Sequence, residues 1–305
     1  MRRLISSLTG LVLAALAATA CTTPVGSAAS PDEANRIKGR PAGLPPTTVA
    51  APPQGPTVRQ RPVTVYYPRN LGEQWYLVPE RHQVAVAGSQ VEAAVTELLG
   101  ARPRYDGSTP PFPRGSRLLG LSEAGGTVTV DLSREVTGVA RGEPSEYAVQ
   151  ALVWTVTRAG DARRVLVEVE GRSAGVVDGR PLSDLWGGRG SAAGLVRDRG
   201  VRLAPVALTE PLPGARVEGD RIVVKGEASV LDGIVSLRLV DTAGAVAAQG
   251  FTSAEGAAPR RAPFSASLAF DPPATTEQWT LQVFEASPDD GTVRYSVLVP
   301  VRVGG

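Results

Sequence analysis

From Val63 onward the apolar positions change period several times, and each change predicts an element. Val63-Thr64-Val65-Tyr66-Tyr67 is a β-branched and aromatic run ended by Pro68, and residues 75–80 and 83–86 read as two more strands. Ser89 stands three residues before Glu92, a capping-box pattern that opens a helix. Val91, Ala94, Val95, Leu98 and Leu99 then recur at i, i+3, i+4, i+7 and i+8, one apolar stripe of that helix, and Gly100 stops it. Residues 102–115 hold four prolines and predict an irregular surface loop. Strands are expected over 117–122 and 127–132, joined through Gly125-Gly126. A second helix is expected over about 145–158, with Val149, Leu152, Val153 and Val156 inward, and a last strand over 165–169. The expected unit, residues 62–180, is an α+β layer of two helices on a small sheet.

After a Gly- and Arg-rich stretch at 181–205, which reads as a linker, the period falls to two. Strand candidates lie at 217–218, 222–228, 235–240, 245–251, 264–270, 279–284 and 295–303, separated by turn residues such as Asp232-Gly233 and Asp289-Asp290-Gly291. Short alternating strands at this spacing predict an all-β sandwich of the immunoglobulin type over 206–305, built without a disulfide.

Both units carry resemblances. The succession from Val63-Tyr67 through Leu77-Val78-Pro79, Val128-Thr129-Val130-Asp131-Leu132-Ser133 and the helix with Leu152-Val153-Trp154-Thr155-Val156-Thr157 resembles the GerMN domain of sporulation and germination proteins. The order Pro213-Gly214-Ala215, Val224-Lys225-Gly226-Glu227-Ala228, Pro263-Phe264 and Val283-Phe284-Glu285-Ala286-Ser287 is similar to the immunoglobulin-like domain of bacterial spore germination. It departs at Leu231-Asp232, where an aromatic-acid pair is commoner. The resemblances imply an exported or lipid-anchored envelope module that binds or spaces, and they imply no catalytic residues.

The N-terminus predicts export. Arg2 and Arg3 precede an uncharged, apolar and small-residue stretch over 4–20, short of the roughly 20 apolar residues of a membrane span. Two cleavages fit. Ala18-Thr19-Ala20 is a small-x-small site for a freely secreted chain, and the same residues before Cys21 resemble a bacterial lipobox, although Ala18 stands where Leu is commonest. The single cysteine of the chain occupies the one position where lipidation needs it, which favours Cys21 as an acylated mature N-terminus. From 21 to 61 the chain is rich in Pro, Ala, Thr, Gly and Ser and cannot bury enough surface to order itself, so a Pro-rich, semi-extended tether is expected.

Composition narrows the chemistry. Lys plus Arg is 32 against Asp plus Glu at 30, a net charge of +2, which argues against a nucleic-acid binder. One His and one Cys rule out most metal sites and disulfide frameworks, and no metal or cofactor is expected. Gly171-Arg172-Ser173-Ala174-Gly175 matches G-x-S-x-G, but the sole histidine, His82, lies upstream, so a Gly-bounded turn is expected in place of a nucleophile elbow. Asp131, Glu135, Glu168 and Glu170 are the carboxylates that a glycan-cleaving pair would draw on, with Asp131 expected to cap the turn at Ser133-Arg134. Arg102, Arg104, Arg114 and Arg117 suit anionic wall polymers or a plain solvated surface. The expectation is a non-catalytic lipoprotein on the outer face of the cytoplasmic membrane. It would be held by Cys21 and touch an envelope protein or peptidoglycan in sporulation, germination or wall assembly. A carboxylate-dependent peptidoglycan-remodelling enzyme is the alternative.

Overall fold

β1 (Arg59–Leu71) and β2 (Gln74–Val86) form one long antiparallel hairpin, in register from Arg59↔Val86 to Leu71↔Gln74. The computed structural model describes residues 59–185 and 194–304; the export signal over 1–20, Cys21, the tether before residue 59 and residues 186–193 lie outside the described residues. Two expected strands are thus a single β2 running through Arg81 and His82, and β1 starts within the expected tether because residues 59–61 pair with 84–86. Pro68 does not end β1. It sits opposite Leu77, whose backbone N–H and C=O bond to Arg202 and Ala204 on the other side, so the missing N–H breaks no ladder bond.

α1 (Gln90–Gly100) begins as expected, with the Ser89 hydroxyl accepting from the Glu92 N–H at 3.0 Å. β3 (Leu118–Ala124) and β4 (Thr127–Leu132) turn through Gly125 and Gly126, both at positive φ, as two-residue mirror-image turns require. α2 (Glu143–Ala159) then crosses back so that β5 (Arg164–Val169) joins β4 in parallel, giving the sheet order β3-β4-β5. The inward residues of these strands, both helices and Val63, Val65 and Tyr67 of β1 make one core. Each of its fully buried Val and Leu side chains contributes roughly 1.5–3 kcal/mol relative to exposure.

The G-x-S-x-G stretch leads into β6 (Val176–Val177) and β7 (Arg180–Pro181), a short hairpin, and not into a helix. The expected linker is docked on both domains at several of its described positions. Leu182 and Leu185 of the short α3 (Leu182–Leu185), together with Leu195, are buried in the first core, while Ala204 is buried in the second.

The second domain is the expected sandwich. One sheet has the order β13-β10-β8, from β13 (Ala262–Ala269), β10 (Arg221–Ala228) and β8 (Val206–Glu210). The other has the order β12-β11-β14-β15-β9, from β12 (Val246–Ser253), β11 (Ile234–Val240), β14 (Glu277–Ala286), β15 (Val293–Val303) and β9 (Arg216–Val217). Only β9 runs parallel to its neighbour. β8 has no counterpart among the expected strands.

The two domains lie in one compact unit. The outer edge of β2 takes the incoming chain, with Leu77 N–H donating to Arg202 O and Ala204 N–H donating to Leu77 O, both at 2.8 Å. Val78 and Tyr105, from the first domain, are buried in the core of the second. Arg69 donates to Ser296 O at 3.0 Å, with its guanidinium 5.4 Å from the Tyr295 ring centre.

Candidate functional site

On β2 the alternation places Glu80, His82 and Val84 inward and Arg81, Gln83 and Ala85 outward. An acid and an imidazole therefore occupy positions a strand usually gives to aliphatic residues. Glu80 is 0 % exposed and His82 1 %. His82 Nδ1 lies 2.6 Å from Glu97 Oε1 of α1, and His82 Nε2 lies 3.2 Å from Glu80 Oε2. A neutral imidazole has one donor nitrogen, so two carboxylates are matched only by the doubly protonated ring. Burial works to lower the His82 pKa, but hydrogen bonds to Glu80 and Glu97 outweigh it and hold the pKa above its ordinary value.

Glu80 has a second duty. Its carboxylate accepts the backbone N–H of Arg104 at 2.7 Å and of Tyr105 at 3.4 Å. Those bonds pin the proline-rich loop, and the Tyr105 hydroxyl then donates to Leu208 O of the second domain at 3.3 Å. Residues 102–115 are irregular as expected, yet they are not a mere surface loop: Tyr105 and Phe112 are buried, each in a different core. The ion triad thus positions an interdomain anchor. Both ring nitrogens are engaged by carboxylates, so His82 presents none to a substrate or metal. Among the described residues no group of three or more His, Cys, Asp and Glu could hold a metal ion.

The carboxylates of the glycan-cleaving alternative fall elsewhere. Asp131 and Glu168 are register partners on β4 and β5, on the sheet face turned away from the core. Asp131 Oδ1 accepts the Gly171 N–H at 2.9 Å, so it caps the turn after β5 and not the one at Ser133-Arg134. The reason is the parallel pairing of β5, which carries that turn to the end of β4. Glu170 pairs with Arg134 at 3.0 Å, and Glu135 lies 3.8 Å from Arg117. None of these four carboxylates lines any of the clefts seen among the described residues. Gly171 and Gly175 both have positive φ, in keeping with the expected Gly-bounded turn.

A cleft does open at the domain junction, with a volume of about 520 Å³. Tyr66 and Trp154 form an aromatic wall, their ring centres 5.6 Å apart, and Arg81, Arg158, Arg197 and Arg261 line it together with Glu80 and Glu227. Arg197 is held in place by the Thr157 hydroxyl at 2.7 Å and by the Trp154 ring at 4.5 Å. Arg261 donates to the carbonyls of Glu227 and Ala204, and burial lowers its pKa. Sequence reading passed over this cluster, because its arginines come from β2, α2, the 194–205 stretch and the loop before β13. The inward acid at Glu80, two residues before His82 and in phase with Val84, was the one available sign of the triad.

Comparison with known proteins bears on both domains. Residues 64–175 match the family model described as sporulation and spore germination. Residues 205–292 match the model described as the immunoglobulin-like domain of bacterial spore germination. Among solved structures, the tandem GerMN domains of the sporulation protein GerM from Bacillus subtilis are similar at 21% identity, with a TM-score of 0.39. That match covers 50% of this chain and 51% of GerM's, so the chain spans about half the length of that structure. The first GerMN domain of the same protein is 20% identical over 41% of this chain and 95% of its own, with a TM-score of 0.34. Among curated proteins none matches. Neither matched family is one of known enzymes. The chain carries a GerMN-like domain followed by an immunoglobulin-like domain of the spore-germination type.

Proposed function

We propose that the protein is a non-catalytic lipoprotein of the cell envelope, a binding and scaffold module of sporulation, germination or wall assembly. Acylated Cys21 holds it at the outer face of the cytoplasmic membrane, and the Pro-rich tether sets the two domains away from the lipid. Its partner is an envelope protein or peptidoglycan. One observation carries the non-catalytic part of this reading. The only histidine of the chain is buried with a carboxylate on each ring nitrogen, an arrangement that supports a structural role for it.

The test has two arms. In a host that processes lipoproteins, the full chain is expected in the membrane fraction with an acylated Cys21 peptide by mass spectrometry, and Cys21→Ala is expected to lose the anchor. Unmodified Cys21 in the mature protein would overturn the anchored reading. In zymography on purified peptidoglycan the protein is expected to leave the layer intact. Clearing that vanishes in Asp131→Asn or Glu168→Gln would replace the scaffold with the carboxylate enzyme.

A further inference from the structure

The junction cleft holds more positive charge than its own carboxylates balance. Four guanidiniums line it against two carboxylates, and one of those, Glu80, is turned inward to His82 and the Arg104 and Tyr105 N–H groups. Among the described residues Arg81, Arg158 and Arg261 have no carboxylate within ion-pair distance, and Arg261 spends its donors on neutral carbonyls. A half-buried guanidinium bonded only to carbonyls keeps its full charge to offer, and its planar donors suit a carboxylate or phosphate. Tyr66 reports the same convergence: burial raises its pKa, and the charges of Arg158, Arg197 and Arg261 pull against that rise.

The rest of the wall limits what accompanies the acid. Trp154, Pro62, Pro79 and Leu203 provide an apolar surface, while Thr64, Thr209 and the Glu227 carboxylate provide partners for hydroxyl groups. Glu227 would repel a polyphosphate but accepts hydrogen bonds from hydroxyls. The volume suits a ligand of one to a few rings.

We infer that the cleft between the two domains binds an acidic saccharide, its carboxylate or phosphate at Arg81 and Arg158 and its hydroxyls toward Glu227. This rests on the binding-module reading and gives that module a ligand class. Arg197, fixed by Thr157 and Trp154, and Arg261, fixed by its carbonyls, form a preset floor, so little side-chain ordering opposes binding.

Calorimetric titration of the detergent-solubilised full chain tests it. The probes are a trigalacturonate for the carboxylate source, glucose 6-phosphate for the phosphate source, neutral maltotriose and a tetraglutamate peptide. At least one acidic sugar is expected to bind about tenfold more tightly than maltotriose. The Arg81→Gln/Arg158→Gln double variant, changed at two exposed positions, is expected to lose about tenfold for that sugar, with its circular dichroism unchanged. Arg260→Gln, outside the cleft, is expected to bind as the parent does. The proposal is overturned if neither acidic sugar binds, if maltotriose binds equally, if the double variant binds as the parent does, or if tetraglutamate alone binds. Membrane fractionation of the same double variant keeps the two readings apart, since the anchor does not involve the cleft.

Discussion

The two domains keep their interiors in different ways. In the first, Arg69, Glu80, His82, Gln150 and Arg180 are all buried among the aliphatic residues, whereas the sandwich buries only Glu285 and Ser287 among its polar and charged residues. The sandwich interior is Val, Leu, Ile, Phe, Trp, Ala and Tyr295, and buried positions alternate with outward ones along β10 and β15. An apolar interior tolerates small rearrangements, because dispersion and burial have no direction. A buried ion triad does not: each charge must meet its partner or the structure loses several kcal/mol. The first domain therefore gains a unique placement of the 102–115 loop, and through Tyr105 a unique seat on its neighbour.

The sharpest way to break this contrast is His82→Leu. Glu80 would be left buried without its counter-charge, and a loss of about 3–5 kcal/mol is expected in urea unfolding, with faster hydrogen exchange at Arg104 and Tyr105. Replacing all three members by apolar residues (Glu80→Met, His82→Leu, Glu97→Leu) is expected to recover only part of that loss, because the Arg104 and Tyr105 N–H groups then lack their acceptor. If the single variant proves neutral, the triad is not what holds the first domain.

The sandwich has its own sensitive point, and it is steric. A Cβ at Gly226 would clash with Ala207 O and lie 2.8 Å from the Phe264 ring, at the register shift where β10 meets β8. Gly226→Ala is expected to cost about 1–3 kcal/mol by thermal unfolding, without touching the triad. An unchanged midpoint would mean that β8 yields easily.

The smallest expected effect sharpens the comparison by pH. The folded pKa of His82 lies above its unfolded value near 6.5. Its contribution is thus complete below about pH 6.5 and is lost as pH rises through the folded value. Stability measured between pH 6 and 9 is expected to decline in the parent relative to the apolar triple variant. A difference that stays flat over this range contradicts a charged imidazole.

Sequence reading succeeded where one force decides. Ser89 and Glu92 marked the start of α1, Gly125-Gly126 marked the hairpin, and period-two runs marked seven of the sandwich strands. It split β2 at Arg81-His82 because a charged pair interrupts the apolar alternation, although Glu80 and His82 stay in phase with it. It gave Asp131 the wrong turn because the parallel pairing of β5 is a long-range fact. It read 181–205 as a linker because Gly and Arg hide Leu182, Leu185 and Leu195, which reach the core only after the chain has folded back.

The amino-acid order by itself determined the two domain types, the helix stripes and the turns, since local propensity and alternation act over a few residues. It also supplied the family likeness and the motif at Cys21. The tertiary structure alone decided which charges meet. Glu97 reaches His82 from a helix, Tyr105 crosses into the next domain, and four arginines from four segments face one cleft. Such meetings depend on distances across the folded chain, and no spacing along the sequence encodes them.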